Sequence, residues 1–295
     1  MLHLSIKPVG KYEKRVFGKR CRERKGKSMK RRGLYRVLSL ALLLSLALGS
    51  AAAKADLLED IREKGYIVIA TEGDWAPWTY HDENDNLVGL DIEIGKAIAA
   101  CLGVEARFEE TNWDAILAGV DSGRFDIACN GVGYTEARAE KYSFSTPYVY
   151  TRDVLVVRSD NDAIRSFEDL KGKKTANTAS STYAALAESY GATVTGVDAL
   201  ADTIQLVLQG RVDATINAQV TINDYLTEHP DAQSKVVAES EGSPVAYPLR
   251  KVPETETLLA AVNEALQALR DNGTLSEISM KYFNGLDMTK SSSGQ

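Results

Sequence analysis

The stretch YIVIATEGDWAPWTYHDENDNLVGLDIEIGKAIAACLG, residues 66–103, contains the pattern that decides the fold. Its first six residues form an apolar run with a glycine close on either side, which predicts a buried strand. A turn-rich segment follows over residues 82–89, and then Ile94, Ile98 and Leu102 recur every four residues. This period predicts an amphipathic helix that a glycine ends. A buried strand followed by a helix is the repeating unit of α/β proteins.

The strand–helix alternation occurs twice along the chain. The first copy continues from this stretch through a strand near residues 104–108, a helix over 113–120 and the strand RFDIAC. The second copy consists of the segments GKKTAN, SSTYAALAESY, ATVTGV, ALADTIQLVLQ, VDATIN and VTINDYLTEH. The tetrapeptides GRFD at 123–126 and GRVD at 210–213 stand at matching helix-to-strand turns. Consecutive β-α-β units form parallel sheets, so the sequence predicts an α/β protein with two similar parallel-sheet lobes.

Two apolar runs fit neither copy, and they are interpreted as hinge strands that join the lobes. They are VYTRDVLVV at residues 149–157 and VAYPLRK at 245–251. A final helix within 254–271 is predicted to pack on the first lobe. The predicted boundaries are residues 56–152 plus 248–295 for lobe I and 153–247 for lobe II. A cleft between two lobes joined by two crossings can open and close on a ligand.

The N-terminus has the layout of a secretory signal peptide. Residues 29–32 begin a basic segment, residues 37–48 form an apolar run of 12 residues, and small residues precede a cleavage point after Ala55. This predicts a signal peptide over 29–55, preceded by an upstream extension over 1–28 that is not part of the mature protein. The apolar run is shorter than the about 20 residues that span a bilayer. We therefore expect a secreted, periplasmic protein without a lipid anchor.

Charge is distributed unevenly along the chain. Residues 1–55 carry 15 of the 35 basic residues but only 2 of the 41 acidic ones, which leaves 20 basic and 39 acidic residues for 56–295. Nucleic acids and anionic membranes bind basic surfaces, so the strongly acidic mature chain is not expected to bind either.

Cysteine and histidine are scarce in the mature chain. Cys101 and Cys129 are predicted to be buried thiols that behave as small hydrophobes rather than a disulfide. His81 and His229 have no neighbouring cysteine or histidine at a metal-binding spacing. The sequence therefore predicts neither a metal site nor a cofactor.

Polar and aromatic residues follow the ends of the predicted strands, where open α/β sheets bind their ligands. The candidates are Glu72, Asp74 and Trp75 after the first strand, Asn130, Gly131, Gly133, Thr135 and Arg138 after the third, and Thr178, Ser180, Ser181, Thr182, Asn217 and Ala218 in the second half.

These residue types suit an amino acid. Arg138 can hold a carboxylate with two parallel hydrogen bonds. Gly131, Gly133 and the helix start at 180–182 can expose backbone N–H groups to the same anion.

The remaining groups of an amino acid also have candidate partners. An ammonium needs an acceptor, and Glu72 or Asp74 can serve. Trp75 and Trp113 can wall an apolar side chain, whereas Trp78 is expected in the core. No trio of nucleophile, base and orienting residue is found, and no glycine-rich phosphate loop, so the chain is not expected to be an enzyme.

The sequence resembles family 3 solute-binding proteins, the polar amino-acid receptors of ABC importers. The matching segments are residues 65–103, NWDAILAGVDSGRFDIACNGVGYTEARAEKYSFSTPY at 112–148 and FEDLKGKKTANTASSTYAALAE at 167–188. The resemblance implies a type II periplasmic-binding fold, a monomer, and delivery of the ligand to a membrane permease. It implies an α-carboxylate on Arg138. It also implies roles for Trp75, Trp113, Asn130, Gly131, Gly133, Thr178 and the 180–182 turn. The second lobe looks most like that of cystine-binding members.

One position departs from the family pattern. The family usually has an aspartate after the last strand of lobe II, where it pairs with the ligand's ammonium, and Ala218 stands there after Asn217. A buried ammonium without a carboxylate is costly, so Glu72 is a candidate replacement. Two alternatives stay open: a ligand that is a small carboxylate without an α-ammonium, and a dehydratase-like enzyme on the same fold with Glu72 as general acid.

Overall fold

The computed structural model of the protein describes residues 56–290. The predicted upstream extension (1–28) and signal peptide (29–55) lie outside these residues. No helix among the described residues is long and apolar enough to cross a membrane.

The first part of the described chain builds a small sheet and its helices. Its elements are α1 Leu57–Lys64, β1 Tyr66–Thr71, β2 Asp74–Trp75, β3 Thr79–His81, β4 Leu87–Val88, α2 Leu90–Leu102, β5 Glu105–Glu110, α3 Trp113–Ser122, β6 Ile127–Ala128, α4 Glu136–Lys141, β7 Tyr142–Phe144 and β8 Val149–Thr151. Strand β1 is central and pairs in parallel with β5 and β6. The predicted strand–helix–strand order is therefore confirmed in this part.

The rest of the chain builds a second sheet and returns to the first. Its elements are β9 Asp153–Arg158, β10 Lys174–Asn177, α5 Thr182–Ser189, β11 Thr193–Gly196, α6 Leu200–Leu208, β12 Ala214–Ala218, α7 Gln219–Glu228, β13 Ser234–Glu239, β14 Ser243–Val245, β15 Pro248–Arg250, α8 Glu256–Asp271 and α9 Thr274–Tyr282. Short 3-10 turns cover Phe167–Leu170 and Pro253–Thr255.

The second sheet is mixed rather than parallel. Its strand order is β11-β10-β12-β9-β13, and β9 runs antiparallel to both β12 and β13. Crossover helices keep β10, β11 and β12 parallel. Strand β9 instead follows directly from β8, so it enters the sheet from the opposite end. Asp153–Arg158, predicted as part of a hinge strand between the lobes, is thus a strand of the second sheet.

The two crossings between the sheets lie side by side. Strand β14 pairs with β8, and β15 pairs with β7. Tyr148 and Tyr247, both fully buried, stack here with ring centroids 4.1 Å apart.

The apolar core follows the predicted helix faces. Ile94, Ile98 and Leu102 are buried on α2, and five buried residues of α8 belong to the same core: Leu258, Val262, Ala265, Leu266 and Leu269. Cys129 is buried as predicted, but Cys101 is exposed, so the prediction for Cys101 was wrong. Cys101 and the preceding Ala100 lie on the solvent-facing side of the last turn of α2.

Candidate ligand-binding site

A cavity of about 570 Å³, counted with its opening to solvent, lies where the two sheets face each other beyond the carboxyl ends of their strands. Ten of the predicted site residues line it: Glu72, Trp75, Trp113, Gly131, Gly133, Arg138, Thr178, Ser181, Thr182 and Asn217. The two halves of the chain thus contribute to one site.

Arg138 is the only basic residue among those lining the cavity. It stands in the first turn of α4, where the Thr135 side chain caps the helix by accepting from the Arg138 N–H at 3.1 Å. Its guanidinium donates to the Gly133 carbonyl at 2.9 Å and lies 5.2 Å from the centre of the Trp113 ring. No carboxylate of the described residues forms an ion pair with it. Arg138 therefore faces the cavity with donors left for an anion.

Glu72 stands on the cavity wall after β1. Its carboxylate accepts from the Asn130 side-chain amide at 2.6 Å, and its N–H donates to the same amide's oxygen at 2.8 Å. Burial raises the pKa of Glu72 to about 7, against the opposing effect of the Asn130 hydrogen bond. The nearby carboxylates of Asp74 and Asp114 raise the pKa further. A cationic group in the cavity would stabilise the ionised form of Glu72 and so lower its pKa.

Trp75, in the aromatic wall of the cavity, packs against both Trp78 and the backbone at Gly131. Trp75 stacks on Trp78 with ring centroids 5.4 Å apart, and Trp78 is fully buried as predicted. Gly131 has a φ of +55°, and a Cβ there would lie 2.6 Å from the Trp75 ring. Only glycine allows this close approach of the backbone.

Two buried polar atoms of cavity-lining residues have no partner among the described residues. They are Trp113 Nε1, a donor, and Asn177 Oδ1, an acceptor. Buried polar atoms are normally paired, so the cavity suits a polar occupant.

Sequence comparison identifies the fold family. A family model described as bacterial extracellular solute-binding proteins, family 3, matches residues 67–285. The chain belongs to this family.

The family's relatives are similar to this solute-binding protein over nearly their whole length. A probable amino-acid ABC transporter-binding protein of Haemophilus influenzae is 36% identical over 247 residues, which covers 83% of this chain and 95% of the relative. The L-cystine-binding protein TcyA of Bacillus subtilis is 38% identical over 265 residues, or 87% of this chain and 97% of the relative.

A solved structure is similar to the fold as a whole. It is an amino-acid ABC transporter substrate-binding protein of Streptococcus pneumoniae bound to L-arginine, with 29% identity and a TM-score of 0.70. The match covers 79% of this chain and 99% of that one. The solute-binding protein therefore has the type II periplasmic-binding fold that its sequence predicted.

Five of the predicted candidates do not line the cavity. Asp74 is exposed, and the other four are Asn130, Thr135, Ser180 and Ala218. Asn130 is buried and holds Glu72. Thr135 caps the helix of Arg138, and the Ser180 carbonyl accepts from the guanidinium at 3.4 Å. Ala218, the last residue of β12, is fully buried.

Five lining residues of the solute-binding protein were not predicted: Asn177, Tyr183, Asp198, Leu200 and Thr203. Asn177 is the last residue of β10, and Asp198 comes two residues after β11. The strand-end rule, applied to every strand of the second half, would have found both. Tyr183, Leu200 and Thr203 lie on helices, and only the packing of α5 and α6 brings them to the cavity.

The two halves touch each other around the cavity. The Ser180 hydroxyl donates to the Asp114 carboxylate. Away from the rim, Trp78 Nε1 donates to Thr221 Oγ1 at 3.0 Å, and both residues are buried. These hydrogen bonds join the two halves of the solute-binding protein across the cleft. Among the described residues, no cluster of three or more histidine, cysteine or acidic side chains could hold a metal ion.

Proposed function

We propose that this protein captures a free amino acid between its two halves, outside the inner membrane, and delivers it to the membrane permease of an ABC importer. The observation that carries this proposal is Arg138: a guanidinium on the wall of the cavity, without a carboxylate partner in the described chain. It is supported by one relative named as a probable amino-acid ABC transporter-binding protein and by another named as an L-cystine-binding protein. We further propose that the protein works as a monomer and without catalysis.

The ligand's carboxylate would bind the Arg138 guanidinium and the N–H groups at the start of α5. Ser181 caps this helix by accepting from the Ala184 N–H at 3.1 Å. The N–H groups of Thr182 and Tyr183, the first two helical residues, have no partner within the helix, and both residues line the cavity. Thr182 and Gly133 approach each other across the cleft, since a Cβ on Gly133 would lie 3.8 Å from the Thr182 side chain. The carboxylate would thus contact both halves and favour closure.

The other groups of the ligand also meet suitable partners. Glu72 offers an acceptor to a positively charged group, and Trp75 and Trp113 offer apolar walls to the side chain. The donor on Trp113 and the acceptor on Asn177 favour a polar ligand such as cystine or another polar amino acid.

A thermal-shift screen tests this proposal. The processed chain, residues 56–295, would be freed of carried-over ligand by unfolding and refolding, then mixed with the twenty amino acids, L-cystine and small carboxylates without an amine. Saturation to 100–1,000 times Kd stabilises a protein by about 3–4 kcal/mol, so an amino acid that binds gives a clear rise in Tm.

The alternatives give different results in the same screen. A shift with amine-free carboxylates alone would contradict the amino-acid proposal and indicate another class of ligand. Conversion of a bound carboxylate, followed by chromatography, would indicate the dehydratase-like alternative.

A further inference from the structure

Asp153 and Ala218 face each other at the end of the second sheet nearest the cavity. Asp153 begins β9, Ala218 ends β12, and the two are direct partners in the antiparallel pairing. Side chains of directly opposed residues project from the same face of a sheet. On that face the next residues of both strands, Leu155 and Ile216, pack in one cluster with Tyr183 of α5. The Asp153 side chain therefore projects toward Tyr183, over a position where Ala218 presents only a methyl group.

Tyr183 connects Asp153 to the cavity. Tyr183 lines the cavity, and its hydroxyl lies against the backbone of Ala218. Asp153 is not itself on the cavity wall. Its partner across the strands, Ala218, directly follows Asn217, and both Asn217 and Tyr183 line the cavity.

The Asp153 carboxylate has no hydrogen-bond or ion-pair partner among the described residues, although most of it is withdrawn from solvent. Its backbone is held by Ser240, whose hydroxyl accepts from the Asp153 N–H at 2.9 Å and whose N–H donates to the Asp153 carbonyl at 2.8 Å. The neighbouring Arg152 pairs with Glu239 at 2.7 Å instead. Burial alone raises the pKa of Asp153 to about 6. An ionised carboxylate that is largely buried without a partner destabilises the protein unless a cation binds to it.

We propose that Asp153 is a further ligand-binding residue, which accepts the α-ammonium of the bound amino acid in place of a carboxylate at the directly opposed position, Ala218. The proposal rests on the proposed function. The α-carboxylate and α-ammonium of an amino acid share one carbon, so their partners must lie in the same part of the cavity. Tyr183, which packs on the Asp153 face of the sheet, lines the cavity together with Arg138. The ammonium acceptor is thereby carried by β9 instead of the adjacent β12. Glu72 remains available to a polar or cationic group elsewhere on the ligand.

Paired ligands test this role by isothermal titration calorimetry. The probes are L-cystine with 3,3′-dithiodipropionate, which lacks both α-amino groups, and L-arginine with 5-guanidinovalerate, which lacks its single α-amino group. The proteins are the wild type, Asp153→Asn and the matched control Asp231→Asn, an exposed aspartate of the same half. Thermal unfolding of each ligand-free variant checks that it is folded.

The expected result is that Asp153→Asn weakens binding of the amino acid by roughly 10- to 100-fold and leaves binding of the amine-free analogue unchanged. Asp231→Asn should change neither. Adding Ala218→Asp to Asp153→Asn should restore part of the loss, because it returns a carboxylate to the directly opposed position. A purely structural role would weaken both members of a pair equally.

Two outcomes overturn the proposal and differ from failure of the proposed function. An unchanged affinity of Asp153→Asn for the amino acid, or an equal loss for both members of a pair, excludes an ammonium contact while the protein remains an amino-acid receptor. If the wild type binds neither amino acid of these pairs nor any other in the screen, the proposed function itself fails, and the role of Asp153 fails with it.

Discussion

Replacing Glu72 with Gln should stabilise the ligand-free protein at pH 8 and leave it nearly unchanged at pH 4. The pKa of Glu72 is raised from 4.5 to about 7 in the folded protein, chiefly by burial. The folded state therefore holds this proton more tightly than the unfolded state, and stability falls as pH rises from about 4.5 through about 7. Gln is neutral at every pH and keeps an oxygen that can accept from Asn130.

The magnitude follows from the two pKa values. A tenfold change in proton affinity is worth about 1.4 kcal/mol, so the ionised Glu72 costs the folded state about 3 kcal/mol well above pH 7. Glu72 is not completely enclosed, and rearrangement of its neighbours relieves part of this cost. We therefore expect Glu72→Gln to exceed the wild type by about 2–3 kcal/mol in the free energy of unfolding at pH 8.

Urea unfolding at several pH values between 4 and 8 measures this difference. Asp91 and Asp153 also have raised pKa values and lower the stability of both proteins in the same direction, so only the difference between wild type and variant reports Glu72. Glu63→Gln, at an exposed position of α1, is the matched control. Parallel pH profiles for wild type and Glu72→Gln would refute the reasoning, since they would mean that the carboxylate is not desolvated.

Three further substitutions test other parts of the structure. Trp78→Phe removes the 3.0 Å hydrogen bond to Thr221 and leaves that buried hydroxyl unpaired; urea unfolding should show a loss of about 1–3 kcal/mol. Gly131→Ala forces a Cβ against the Trp75 ring at positive φ, so calorimetry should show weaker ligand binding, whereas Gly172→Ala, also at positive φ but in open space, should not. Asp91→Asn replaces one of two buried acceptor oxygens by a donor, so one of the two groups that donate to Asp91 loses its acceptor; thermal unfolding should show a loss of about 1–3 kcal/mol.

The sequence allowed the strand–helix order and the position of the cavity to be predicted, because both follow from local patterns. Ile94 and Ile98 show the buried face of α2 by their spacing alone, and Glu72 and Arg138 follow strands whose carboxyl ends meet.

Antiparallel pairing was harder to predict. Nothing in the apolar run at residues 149–157 shows that its second part joins the second sheet opposite β12. The proximity of Asp153 to Ala218 depends on this long-range pairing, so Asp153 could not be recognised as a candidate. Cys101 illustrates a different difficulty, since the buried stripe of a helix does not define how far its last turn is covered.

Calorimetric titration of Arg138→Gln tests the central claim most directly. The ligand would be the amino acid that gives the largest thermal shift, and the control would be Arg211→Gln, an exposed arginine of the other half. Loss of a buried charged partner costs about 2–5 kcal/mol, so the affinity of Arg138→Gln should fall by at least about 30-fold while the control binds like the wild type. Wild-type affinity in Arg138→Gln would contradict the assignment of the ligand's carboxylate to this guanidinium.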